Sequence, residues 1–235
     1  MSDVAQLQAA VDDEAVSTIY LTAEGSPYRL FNELEPRRNL TMIGLPGGDG
    51  GRVVLDAGSD AMLPRRVLRV AHNLTVNATA LHLTGGRTSA ARHPGGGVAN
   101  YGTLFLTHCH VSNNWGYVGG GVFNNGTLVM TDCALYDNVA VLNGGGITNY
   151  AGHLTLHGCA LYSNRALFGA GLVQMPLDGK SFTRLSDCHI SGNHATERGG
   201  GILNYAVMHV AHSVISDNNA SASSDVQTEH AIVPG

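Results

Sequence analysis

Apolar and polar residues alternate over short segments along most of this chain, and the segments recur in a fixed order. The clearest unit is a glycine cluster, an aliphatic, a free position and an amide, then a turn. Next come an apolar residue, one free position, a second apolar residue, two free positions and a cysteine. The glycine clusters are Gly95–Gly97, Gly119–Gly121, Gly144–Gly146, Gly169–Gly171 (as GAG) and Gly199–Gly201. Each is followed by Val98, Val122, Ile147, Leu172 or Ile202, and two residues later by Asn100, Asn124, Asn149, Gln174 or Asn204. Cys109, Cys133, Cys159 and Cys188 lie 24, 26 and 29 residues apart, and each precedes an asparagine by five: Asn114, Asn138, Asn164 and Asn193. A fifth copy has Ser213 in the cysteine slot and keeps Asn218.

The apolar period of two is that of a strand, and self-similarity at this length marks a solenoid. A sandwich would not repeat its turns in register with the same amides. A parallel coil does so naturally, because each turn stacks on the last at about 4.8 Å and like residues lie over like. Stacked asparagines at a bend then bond to one another and to the backbone. The expected fold is all-β: a single-stranded right-handed parallel β-helix of roughly seven coils, about 34 Å of stack. The earlier coils are looser. Leu74-x-Val76-x-x-Thr79-x-Leu81 fits with Thr79 in the cysteine slot, and Leu40–Gly44 with Val53–Asp56 reads as another coil.

Asp3 with Gln6 predicts a capped helix through about Val16, presenting Val4, Leu7 and Val11 to the open end of the stack. Residues 1–20 are then an N-terminal cap, 21–218 the coils and 219–235 a tail that leaves the last coil, all in one domain of residues 1–235.

Charged residues are only 13% of the chain, about half the ~25% of an ordinary domain, while 43% is hydrophobic. That excludes disorder. The net charge of −5, with no basic stripe, argues against nucleic acid. No apolar run is long enough to span a membrane, and no charged n-region precedes an apolar stretch. The cysteines occupy inward slots and are expected as reduced thiols, small hydrophobes in effect. Together these features point to the cytoplasm. The glycine-rich Gly47–Gly51 lacks the nonapeptide period of a calcium-binding coil.

The GGG-aliphatic-x-Asn and Cys-x-aliphatic-x-x-Asn units, from about Thr84 to Asn218, resemble the repeats of right-handed β-helix proteins of the polymorphic outer-membrane-protein type. The upstream stretch Gly25–Leu30 and Leu40–Gly44 looks like the lead-in of such helices. The resemblance implies the fold, and a family in which the repeats generally serve large surface proteins and adhesins. This chain departs from it in showing no signal, barrel domain or anchor. The architecture is also shared with pectate-lyase-like enzymes and epimerases, whose site is a row of acidic residues with Arg or Lys on the first sheet.

That row is missing. The outward positions of the sheet that follows the glycines are Ala99, Phe123, Thr148, Val173 and Leu203, none ionisable. A polyuronate lyase needs carboxylates for Ca²⁺ and a base for the α-proton. Loops containing Trp115, Tyr117, Leu142, Phe168, Glu197 and Arg198 precede this strip, and Tyr101, Tyr150, Met175 and Tyr205 follow it. The expectation is an apolar groove. Trp115, Tyr117, Phe123, Leu142, Thr148, Phe168, Val173, Leu203 and Tyr205 are the candidate substrate-binding residues. Tyr101, Tyr150, Glu197 and Arg198 are the candidate catalytic groups, able to donate a proton or steady an oxyanion. Two readings stay open. In one the groove takes an apolar small molecule and no cofactor, as a cofactor-independent isomerase, cyclase or lyase would. In the other the loops, or a second copy of the chain in a homodimer, cover the strip, as suits an adhesion or assembly module.

Beside the cysteines lie His108, Asp132, Asp187 and His212 on one side and His110 and His189 on the other. His108, His110 and Asp132 form an alternative metal set, and this His/Asp face would serve a carbohydrate-active lyase or epimerase. A solvated polar sheet accounts for the same residues without a metal.

Overall fold

A computed structural model describes residues 3–47, 51–58, 64–89, 93–175, 181–228 and 232–234. The middle of the Gly47–Gly51 segment therefore lies outside the described residues. One representative coil runs through strands Thr103–Thr107, His110–Ser112, Trp115–Val118 and Val122–Asn124. Every strand pairs in parallel with its counterpart one coil away. The result is a right-handed solenoid of about seven coils with sheets of nine, eight, four and seven strands.

The alternation in sequence becomes an inside and an outside. In the nine-stranded sheet Leu104, Leu106, Leu128, Met130, Leu154 and Leu156 point inward and are fully buried, while the threonines beside them are half-buried. In-register pairing makes this self-consistent, because a slip of one residue would put a polar column in the core.

Two amide ladders fasten the coils. Asn100 Nδ2 donates to Asn124 Oδ1 at 2.8 Å, Asn124 Nδ2 to Asn149 Oδ1 at 2.7 Å and Asn149 Nδ2 to Gln174 Oε1 at 2.6 Å. The second ladder runs Asn114, Asn138, Asn164, Asn193 and Asn218, with each Nδ2 donating to the next Oδ1 at 2.8–3.0 Å. Each Oδ1 also accepts the backbone N–H of the preceding asparagine, as Asn138 Oδ1 does from Asn114 N at 3.1 Å. Buried bend amides, which a coil cannot bond within itself, are thereby satisfied.

The four cysteines form a buried column of free thiols. Cys133 Sγ donates to the carbonyls of Leu106 and Thr131 at 3.4 and 3.2 Å. The neighbouring Cys109 thiol, then Cys159, then burial push the Cys133 thiol well up. Ser213 keeps the same bonding, its Oγ donating to Ala211 O at 2.8 Å and accepting from Cys188 N at 3.0 Å. Upstream, the pairing places Thr79 opposite Thr107 and His82 opposite His110. Leu81, not Thr79, therefore fills the cysteine slot, and Val53 pairs with Leu81 one coil earlier.

The cap is a helix over Val4–Asp12, shorter than expected, with Asp3 accepting from Gln6 N at 2.7 Å. Leu7, Ala10 and Val11 are buried and Val4 packs against the core. Arg38 closes its C-terminal end, Nη1 donating to Val11 O and Nη2 to Ala10 O, both at 2.8 Å. These last-turn carbonyls have no partner within a helix. At the other end the expected tail instead continues the stack. Val226–Thr228 pairs with Ile202–Asn204, and Ile232–Pro234 with Met208–Val210. The reason is Asp225, whose Oδ1 accepts from Asn218 N and Nδ2 at 3.0 Å and so adds a rung to the asparagine ladder. Among the described residues no helix is long and apolar enough to cross a membrane.

Candidate functional site

The segments expected as loops ahead of the glycines are strands. Trp115–Val118, Val139–Asn143, Arg165–Phe168 and His194–Arg198 make the four-stranded sheet, with register shifts in its second half. Its inner side carries small residues only. Ala140, Ala166, Ala170 and Ala195 form a second buried cluster outside the main core, and Gly116 is in register with Ala140. Small side chains let this sheet lie close to the returning glycine turn.

That turn decides what happens to the outward strip. Gly144 has φ +63° and Gly169 φ +55°. A Cβ on Gly144 would stand 2.2 Å from Thr148 Oγ1, and one on Gly169 the same distance from a Val173 methyl. The backbone of each turn thus presses directly on the outward residue of its own coil, an approach only glycine permits. Thr148 Oγ1 donates to Asn143 O at 2.9 Å and ties the cover down. Ala99, Thr148, Val173 and Leu203 are no more than 1% exposed, and Phe123 is 6% exposed. The strip points outward as expected, but it is a covered floor and not open groove. Phe123 is held in a ring column, 5.9 Å from Tyr101 and 5.6 Å from Tyr150. His72 stands 5.5 Å beyond Tyr101, and the Arg69 guanidinium sits 5.4 Å over the Tyr101 ring.

What stays open is a shallow cavity of about 300 Å³ lined by Leu142, Asn143, Phe168, Met175 and Tyr205. It lies between the end of the four-stranded sheet and the far edge of the strip. Of the predicted binding residues, Leu142, Phe168 and Tyr205 meet there. Asn143 and Met175 complete it. Met175 follows Gln174 as Tyr150 and Tyr205 follow Asn149 and Asn204, so its place was legible. Asn143 carried no signal beyond standing just before a glycine cluster. Trp115 and Tyr117 do not line the cavity, and the Arg87 guanidinium lies 4.6 Å over the Trp115 ring.

The four candidate catalytic residues do not converge. Tyr101 and Tyr150 are separated by the Phe123 ring. Glu197 and Arg198 are exposed on strand His194–Arg198, with no ion pair between them among the described residues.

The alternative metal set also comes apart. His108 and Asp132 are not on a sheet. They occupy a left-handed corner at φ +51° each, in a column with Gly158, Asp187 and His212. His108 Nδ1 is 3.8 Å from Asp132 Oδ2, and both side chains are more than half exposed. Such a pair is worth little. His110 is on the next strand, 5.8 Å from His82 and 5.7 Å from Tyr136 ring to ring. No three metal-ligating side chains cluster among the described residues. Burial, then the Arg52 guanidinium, then His82 lower the His110 imidazole to about 4.

Residues 70–220 match the family described as a right handed beta helix region. Comparison with curated proteins and with solved structures gives no match.

Proposed function

The chain belongs to the right-handed β-helix family, the matched stretch being more than half of its length, and from that premise we propose that it is a binding protein for a largely apolar small molecule. The cavity of Leu142, Asn143, Phe168, Met175 and Tyr205 carries this reading. Its volume is at the lower end of the roughly 300–1,000 Å³ usual for ligand sites. Leu142, Phe168 and Met175 supply apolar contact, and a methionine adapts to irregular shapes. The Asn143 amide and the Tyr205 phenol supply the few polar groups that orient a ligand. Binding is favoured over turnover because, among the described residues, Tyr205 is the only ionisable side chain lining the cavity. Of the described lining, an isomerase, cyclase or lyase would have that phenol and confinement to work with.

A neutral fluorophore, Nile red, tests this. The wild-type chain should take it up saturably, and Phe168→Ala or Leu142→Ser should weaken uptake at least tenfold, as losing an anchor worth about 2 kcal/mol implies. Sedimentation velocity run alongside identifies the competing occupant. A dimer that excludes the dye and that Leu142→Ser dissociates would replace the small molecule with a second copy on this face. A monomer that takes up no dye would end the reading.

A further inference from the structure

A second cavity, remote from the groove, lies near the N-terminal end of the stack. It has a volume of about 460 Å³, and its walls include Phe31, Glu33, Pro64, Arg65, Arg66 and Thr88. Consecutive arginines in a concave wall are unusual in a chain with 13 basic and 18 acidic residues. Their surroundings treat them differently. Arg66 is 7% exposed. Its Nη1 donates to Glu33 Oε2 at 2.8 Å and its Nε to Pro94 O at 2.9 Å, so its charge is matched and its plane is fixed. Arg65 donates only to carbonyls, Nε to Ala57 O at 2.8 Å and Nη1 to Phe31 O at 2.5 Å. Among the described residues no carboxylate lies within 4.0 Å of it. Among the described residues the cavity therefore carries one guanidinium charge without a carboxylate partner.

Thr88 is the second, independent observation. It is 3% exposed, and its Oγ1 has no hydrogen-bond partner among the described residues. Its backbone is fixed, N–H donating to Trp115 O at 2.9 Å. A buried hydroxyl left unpaired is unfavourable, and valine would fill the same space without that cost. A hydroxyl on this wall has a use if a polar ligand atom meets it. Of the remaining wall, Asn32, Glu33, Ser89 and His93 are polar, while Pro64 and Phe31, which is 67% exposed, make an apolar side. Guanidinium N–H groups and a hydroxyl select anionic oxygens. A single unmatched charge suits a single anionic group, and the apolar side formed by Phe31 and Pro64 suits a flat ring.

We propose that this cavity binds a small organic anion, a flat apolar body carrying one carboxylate or one phosphate. The anionic oxygens accept from the Thr88 hydroxyl and from the N–H groups that Arg65 and Arg66 have left. The body lies against Phe31 and Pro64.

The test uses the full chain with benzoate and phenyl phosphate, and benzamide as the neutral isostere of benzoate. Trp115, the only tryptophan, accepts from the Thr88 amide and reports binding by fluorescence; calorimetry gives the affinity. At least one anion should bind saturably and at least tenfold more tightly than benzamide, and the pair tells carboxylate from phosphate. Thr88→Val should weaken that anion about tenfold, as losing one hydrogen bond to a charged group implies. The unliganded melting temperature should hold or rise, because no existing bond is lost. Arg65→Gln should weaken the anion further and leave benzamide unchanged. Three results overturn the proposal: neither anion binds saturably, benzamide binds as tightly as benzoate, or Thr88→Val keeps the wild-type affinity. Thr88→Val is isosteric and breaks no contact, so the test stands even if Arg65→Gln fails to fold.

Discussion

Phe123→Ala separates a covered floor from an open groove. A ring on an open groove contributes little to folding, and its removal would fall within about 0.5 kcal/mol. In the structure the residue is 6% exposed. Burying a phenylalanine is worth about 1.5–3 kcal/mol. Its contacts with Tyr101 and Tyr150, at 5.9 and 5.6 Å, add about 0.5–1.5 kcal/mol each. The glycine turns above and the core below are backbone-tethered and cannot collapse fully into the gap. The expected loss is about 3–4 kcal/mol, within the roughly 3–5 kcal/mol of buried Phe→Ala changes. Urea unfolding followed by Trp115 fluorescence measures it. At a slope of about 3 kcal/mol/M the midpoint should fall by about 1 M. A loss below about 1 kcal/mol at unchanged slope would refute the covered-floor argument, and with it the role given to the glycine turns.

Asn138→Ala should cost about 3–9 kcal/mol. It strands Asn114 N, one Asn114 Nδ2 hydrogen and Val111 O, each worth about 1–3 kcal/mol when buried and unpaired; a midpoint shift equal to that of an exposed substitution would count against the ladder. Acid sensitivity should come from His110. Its folded value of about 4 lies below the ordinary 6.5, so the unfolded chain binds more protons between them and stability rises with pH there. The contribution is complete above about 6.5 and is lost as pH falls towards about 4, with His82, lowered by burial and then by Arg52, acting in the same direction. Unfolding midpoints at pH 7, 5.5 and 4.5 should differ less in His110→Gln than in the wild type, the remainder of the dependence coming from His82, and an unchanged pH profile would rule His110 out.

The fold was legible because a solenoid is nearly one-dimensional. Each coil meets only its neighbours, so in-register stacking writes the cysteine column, both amide columns and the glycine turns directly into the spacing. The strip of Ala99, Phe123, Thr148, Val173 and Leu203 was also legible as outward. Its cover was not, because facing away from the core and reaching water are different properties. The returning backbone at Gly144 and Gly169 separates them. A signal for that cover was present in the small residue two after each ladder asparagine, at Gly116, Ala140, Ala166, Ala195 and Ala220. It marks a strand packed on backbone, although it reads as loop composition when no partner is in view.

Looser coils misled for a related reason. Without a cysteine, Thr79 and Leu81 both fit the template, and only the pairing of Val76 with Leu104 fixed the register. The tail was read by its polarity, yet Asp225 joins the ladder because a carboxylate accepts the same two N–H groups as an amide oxygen. Both cavities depend on which side chains from distant coils converge: Leu142 with Tyr205, and Phe31 with Arg65 and Thr88. Periodic sequence determines the stack through local, repeated contacts. Tertiary packing decided the sites, because it sets which repeat positions, such as those of Met175 and Tyr205, stay uncovered, and which segments outside the repeat, such as those of Phe31 and Arg65, come to lie beside the coils.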